Sequence, residues 1–232
     1  MSILSDSKIL AKIYSKEFNI TPCQLDNIQA SSIDLTLGES IEVPKNSLTI
    51  SPPYPSRDEI RNFYDKEVIS QDYILAPGKF ILGQIQETIE LSDKLVGNIQ
   101  NRNSLIRLGI NVGLSSYINP GYKGKLPVTI HNIGTFDFKL TPGMRICQLV
   151  LTETSGVVLD YSRREDAKYH AETEITLSKL SEDKEFTEYV QRYGKNTDTG
   201  QLKKFLQERV TEKTQNFFAQ LTSEQRKGLG LS

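Results

Sequence analysis

Apolar positions recur at two different periods along this chain, and the change of period divides it. Ile9, Leu10, Ile13, Tyr14 and Phe18 stand at helical spacing, which predicts an amphipathic helix over residues 6–18 with Ser5 or Asp6 as its cap. From Ser31 to Leu151 the pattern changes to short extended runs. Turn signals such as Ala76-Pro77-Gly78, Asn119-Pro120-Gly121 and Thr141-Pro142-Gly143 separate them. Phe136-Asp137-Phe138-Lys139-Leu140 alternates as a half-buried strand should. Many short strands with Gly and Pro punctuation predict a mainly β sandwich or barrel. Ser56-Arg57-Asp58-Glu59 reads as a capping box ahead of Ile60, Phe63 and Tyr64, predicting a small helix inserted between strands.

After about Ser178 the helical period returns. Phe186, Tyr189, Val190 and Tyr193 share one helix face, which should stop at Gly194. Lys195 to Gly200 is a polar linker, and Leu202, Phe205, Leu206, Val210, Phe217 and Leu221 mark a longer amphipathic helix. The expected organisation is a β domain over 1–178 and a helical C-terminal extension over 179–232. The extension either packs against the β domain or a neighbouring subunit, or serves as a docking module for a protein partner.

The 232 residues are 25% charged and 37% hydrophobic, an ordinary globular balance. A formal net charge of -1 excludes a non-specific nucleic-acid binder but leaves room for a local basic pocket. No apolar run approaches the ~20 residues of a membrane span, and Met1 to Asp6 lacks a signal-peptide pattern. A cytoplasmic location is therefore expected. Cys23 and Cys147 are isolated, so the ligand set of a zinc-dependent base deaminase is missing and no zinc is expected. His131 and His170 have no metal-ligand spacing and read as structural or surface residues.

Five segments carry a more specific signal. They are Ala30-Ser31-Ser32-Ile33-Asp34-Leu35-Thr36-Leu37-Gly38, Gly97 to Gly109 around Arg102-Asn103-Ser104, Ile118-Asn119-Pro120-Gly121-Tyr122-Lys123-Gly124, Pro142 to Val150, and Tyr161 to Tyr169. In this order, over roughly residues 20 to 175, they resemble the dCTP deaminase and dUTPase superfamily, closer to the deaminase branch. The resemblance implies a dUTPase-like distorted jelly-roll barrel with short inserted helices. It also implies a homotrimer that binds a pyrimidine deoxynucleoside triphosphate at subunit boundaries. Mg²⁺ would ride on the nucleotide phosphates instead of a protein cage. Family members usually end soon after the last nucleotide-contacting segment, so the helical extension is a departure.

The resemblance also assigns roles. Arg102, Asn103, Ser104 and Arg107 match the family's phosphate-holding segment, in which Arg offers a planar, charge-assisted fork; Asn103 replaces the usual first Ser. Ser115, in the run Leu114-Ser115-Ser116, would offer backbone groups to the base edge. Tyr122 matches an aromatic ring under the sugar. Tyr161 and Lys168 match the segment that closes over the triphosphate. Glu172 stands where a Gln is expected and should bring negative charge toward the phosphates. Among the remaining residues, Asp34 reads as a buried strand residue. Arg145 reads as serving a subunit boundary or a nearby carboxylate, and Cys147 and Gln148 as completing a core strand.

Two positions break the pattern. Asn119 stands where the family has Asp, and Thr129 stands where deaminases carry the Glu that activates water. Neither amide nor alcohol takes a proton near pH 7, and losing a positioned base costs on the order of 10²- to 10⁴-fold in rate. His131 is expected on the opposite face of the strand from Thr129 and hence as a poor substitute. Three readings follow. The first is a nucleotide-binding member with little or no turnover, in a sensing, sequestering or regulatory role. The second is an active dCTP deaminase or dUTPase using another base, with Glu165 or Glu172 of an adjacent subunit as nominees. The third is a trimeric protein-interaction scaffold.

Overall fold

A computed structural model describes residues 2–45, 56–113, 117–155, 157, 160–164, 167–195 and 198–220, without the side chains of 217–220. The Leu114-Ser115-Ser116 run, Glu165 and Leu221 lie outside the described residues. The elements in chain order are α1 (Asp6–Tyr14), β1 (Phe18–Thr21), β2 (Ile33–Pro44), α2 (Arg57–Arg61), β3 (Tyr64–Val68), β4 (Tyr73–Leu75), β5 (Phe80–Leu91) and β6 (Leu95–Asn101). They continue with α3 (Asn103–Ile106), β7 (Ile110–Val112), β8 (Tyr117–Ile118), β9 (Lys123–Asn132), β10 (Phe138–Leu140), β11 (Arg145–Glu153), α4 (Lys184–Tyr193) and α5 (Thr199–Gln220). Two compact units emerge, Met1–Asn46 with Phe63–Leu177, and Ser47–Asn62 with Ser178–Ser232.

The first unit is a mostly β structure of the dUTPase-like type. Its main antiparallel sheet runs β7-β9-β5-β2-β11-β6-β8, with β1 on β5 and β3 on β2, while β10 and β4 form a separate pair. Alternation explains the core. Leu35, Leu37 and Ile41 of β2, Ile81, Ile85 and Ile89 of β5, and Leu149 and Leu151 of β11 are fully buried. The register shifts where β2 meets β5, between Leu37 and Ile41, and where β5 meets β9, between Gln84 and Thr88. Such bulges bend a sheet and turn side chains out of their regular rows.

Several local expectations need correction. The first helix ends at Tyr14, because Lys16 turns left-handed at φ 59° and Phe18 begins β1, where it is fully buried. Ile9 is buried, whereas Leu10 is 44% and Tyr14 93% exposed, so the helical period overstated the buried face. Ser5 occupies the cap position without a capping side-chain bond. The alternating run at 136–140 is a strand only over Phe138–Leu140, and Phe136 is 49% exposed.

The capping box is present: the Glu59 carboxylate accepts from both N–H and hydroxyl of Ser56 at 2.7 Å. Its helix α2 belongs to the second unit and Tyr64 already starts β3, so the insertion is one turn shorter than its apolar residues suggest. In that unit α4 ends at Gly194 with φ +70°. Tyr189, Tyr193 and Phe205 form a triangle of rings 5.2 to 6.0 Å apart, with Tyr189 and Phe205 buried. Val210 is 65% exposed. No helix among the described residues is long and apolar enough to cross a membrane.

Candidate functional site

The candidate residues fall into three groups. The first surrounds Asp34. Pairing of β2 with β11 sets Gln148 opposite Asp34, and Gln148 Nε2 donates to Asp34 Oδ1 at 3.1 Å. Arg102, at the start of α3, brings Nε to 3.5 Å from Oδ1, and Arg145 brings Nη1 to 3.4 Å from Oδ2. Arg102 also donates to the Arg145 carbonyl at 3.0 Å. One carboxylate of 3% side-chain exposure thus orders two guanidiniums that remain 28% and 39% exposed. The group carries one positive charge in excess, with N–H groups left to receive an anion. Asn103, Ser104 and Arg107 lie exposed on and after α3.

Below this group the Glu87 carboxylate accepts from the Thr36 N–H at 3.1 Å and hydroxyl at 2.7 Å. Burial nevertheless pushes its carboxyl above the usual glutamate range. Burial, aided by Glu87 and Asp34, likewise raises the thiol of Cys147.

The second group is built on the turn at 119–122. Tyr122 N–H closes the turn on the Asn119 carbonyl at 3.1 Å, with Gly121 left-handed at φ +79°. Tyr161 N–H donates to the Pro120 carbonyl at 2.8 Å, and Asp160 accepts from the N–H and hydroxyl of Ser162 while its Oδ2 lies 3.3 Å from Arg163. These bonds hold the Asp160 carboxyl below its ordinary range, the Ser162 hydroxyl contributing most. The Tyr122 and Tyr161 rings lie 6.4 Å apart, and His170 meets Tyr161 edge-on at 6.1 Å. Lys168 is half-buried on the same segment.

The segment then docks on the sheet. Ala171, left-handed at φ 57°, donates to the Lys123 carbonyl at 2.8 Å, and the Glu172 carbonyl accepts from Lys125 N–H at 2.7 Å. A β-carbon on Gly124 would stand 2.7 Å from Glu172 N, so glycine is what admits this approach. Glu172 is buried, at 7% exposure. It lies beside the buried phenol of Tyr122. Burial first, and then the Glu172 charge, push that phenol far above the usual tyrosine range.

The third group is Thr129 on β9. Val128, Ile130 and Asn132 are buried, and Thr129 is exposed, with His131 half-buried. Residues two apart in a strand share a face, so His131 lies on the same side as Thr129, not the opposite side. His131 packs edge-on against Phe80, its cross-strand partner, with ring centroids 6.5 Å apart.

One chain brings Tyr122, Tyr161, Lys168 and Glu172 onto neighbouring segments but does not unite them with Arg102. Ile118 pairs with Gly97 near the start of β6, whereas Arg102 follows its end. Asn119 and Arg102 thus differ by about six strand residues, roughly 20 Å. Among the described residues no group of three or more His, Cys, Asp or Glu is placed to hold a metal ion.

Comparison with known proteins agrees with this architecture. A family model described as dCTP deaminase-like matches residues 3–154. The dCTP deaminase of Haloarcula marismortui is 35% identical over 193 residues, which cover 79% of this chain and 97% of that protein. The chain belongs to the dCTP deaminase-like family. Within the wider superfamily that includes dUTPases it lies closer to the dCTP deaminase branch.

A second relative, the dUMP-forming dCTP deaminase of Methanosphaera stadtmanae, is 34% identical over 194 residues, covering 79% and 96%. The fold is shared with the 2′-deoxycytidine 5′-triphosphate deaminase of Agrobacterium tumefaciens, at 22% identity and a TM-score of 0.54. That match spans 68% of this chain and half of the other. Sequence reasoning within the family's motifs overlooked Asp160. Its one signal was the Asp-x-Ser spacing of a side-chain-capped turn.

Proposed function

We propose that this family member binds a pyrimidine deoxynucleoside triphosphate between subunits of a homotrimer and turns it over slowly or not at all. The observation carrying this reading is the exposed face of β9. Lys125, Pro127, Thr129 and His131 follow one another along it, and none is a carboxylate. Asn119 has lost the acid at the second catalytic position of the family. Support for a shared site is the separation of Arg102 from Asn119, which a neighbouring copy would bridge. Magnesium would arrive carried by the phosphates. The division at about residue 178 would then give a nucleotide-binding unit and a helical one open to a protein partner.

The test incubates the full chain with dCTP and dUTP plus magnesium, separates the products, and measures thermal shifts against a nucleotide panel. Stabilisation by ligand at 100 times its Kd is about 2.7 kcal/mol. Binding without product supports the proposal, and Asn119→Asp with Thr129→Glu should then gain turnover. Product formation at ordinary enzymatic rates would sink it.

A second reading, an active enzyme with a different base, is favoured by one observation. His131 shares the Thr129 face and carries an imidazole, which can take a proton from water. If product does form, His131→Ala should abolish it.

A further inference from the structure

The two register shifts that flank β5 open a cavity that neither Asn119 nor Thr129 lines. Its volume is about 500 Å³, and Gly38 and Ser40 of β2, Gln84 and Gln86 of β5, and Lys125 of β9 line it. All lie within the first unit. Residues 38–40 of β2 stand against Gln84 alone, and residues 85–87 of β5 against Leu126 alone, so neither stretch has regular cross-strand partners.

The polar groups around this cavity are mainly donors. Gln84 is 6% exposed, and its amide nitrogen Nε2 is buried without an acceptor. An orphaned buried donor of this kind is destabilising, and its terminal torsion is soft enough to turn toward an incoming oxygen. The Gln86 amide oxygen lies 3.1 Å from Thr36 Oγ1, whose hydroxyl proton goes to Glu87, and the NH₂ of Gln86 adds two further donors. Ser40 adds a hydroxyl and Lys125 a cation; Glu39, exposed at the rim, is the lining carboxylate. Leu37, Ile85, Pro142 and Gly143 complete the lining.

We propose that this cavity is a second ligand site for a small molecule bearing an oxyanion, either a carboxylate or a phosphoryl group. The oxyanion accepts from Gln84, Gln86 and Lys125. Neither Asn119 nor Thr129 is among its lining residues, although Thr129 shares the exposed face of β9 with Lys125. Lys125 links it to the rest of the unit, since the same residue's N–H holds the Glu172 carbonyl.

Nuclear magnetic resonance on the full-length chain tests the assignment, titrating inorganic phosphate and, separately, succinate to about 50 mM. A site with a millimolar Kd, worth about -4 kcal/mol, saturates in that range. The expected result is a saturable shift of the Gln84 and Gln86 side-chain NH₂ signals and the Lys125 amide with at least one probe. Phosphate alone identifies a phosphoryl ligand, succinate alone a carboxylate, and either outcome supports the site. Lys125→Met should weaken binding about tenfold or more, and Lys125→Arg should restore most of it. The proposal falls if neither probe moves these signals, if only Arg102 and Arg145 respond, or if Lys125→Met binds as tightly as the parent.

Discussion

Asp160 presses its carboxylate so closely on Gly121 that a β-carbon there would stand 2.8 Å from Oδ1 and 2.9 Å from Cγ. The contact fixes the closing segment to the turn that follows Asn119, and Gly121 already adopts φ +79°. Gly121→Ala should therefore cost more than the roughly 1–2 kcal/mol of placing an L-residue in left-handed backbone. The expected outcome is a lower melting temperature and a weakened nucleotide-induced shift. Asp160→Ala in the same background should recover part of the loss, since it removes the opposing atoms.

Glu87 gives a pH prediction. Burial raises its folded-state pKa above the unfolded value near 4.5, so over that window the folded chain holds more protons than the unfolded one. Stability through this group must then fall as pH rises from about 4.5 through the raised value, and the penalty is complete above it. Glu87→Gln cannot ionise. Denaturant midpoints of parent and variant should converge toward acid, while the parent loses ground relative to the variant as pH rises. A parallel pair of curves would contradict the assignment.

The buried position of Glu172 bears on affinity. Were its carboxylate among the phosphates, Glu172→Gln would tighten triphosphate binding tenfold or more, about 1.4 kcal/mol. With Glu172 tucked beside Tyr122, the change should stay under about threefold. The same substitution should move the Tyr122 phenol down toward the ordinary tyrosine range, since one of its two main causes is removed. Calorimetric titration with dCTP and spectroscopic titration of tyrosinate read the two effects separately.

In the second unit, Phe205 closes the ring triangle with Tyr189 and Tyr193. Phe205→Ala should cost about 3 kcal/mol, the usual loss for a buried aromatic side chain. Hydrogen exchange should accelerate across α4 and α5 and remain unchanged in β5 and β11.

Much of this molecule could be read from residue order. Turn signals at Pro77-Gly78, Pro120-Gly121 and Pro142-Gly143 separate strands because backbone freedom is a local property, and motif order carried the family. Facing was harder. Phe18 has the spacing of a helix residue, yet tertiary burial on β5 claims it for β1. Leu10 and Tyr14 fit an apolar stripe but are exposed in the folded chain. The misplaced face of His131 was an error of counting, since positions two apart in a strand always agree. Glu172 was illegible for a different reason: pairing with Gly124 is a contact across 48 residues, and nothing local in the sequence encodes it.

Ala171 adopts φ 57°, in a region where alanine is strained by roughly 1–2 kcal/mol. Its own bond to Lys123 and its neighbour's bond to Lys125 keep it there. Once those bonds open, the alanine relaxes to ordinary backbone and no longer favours reclosure. Release of that strain lowers the cost of lifting this stretch off β9 by about the same 1–2 kcal/mol.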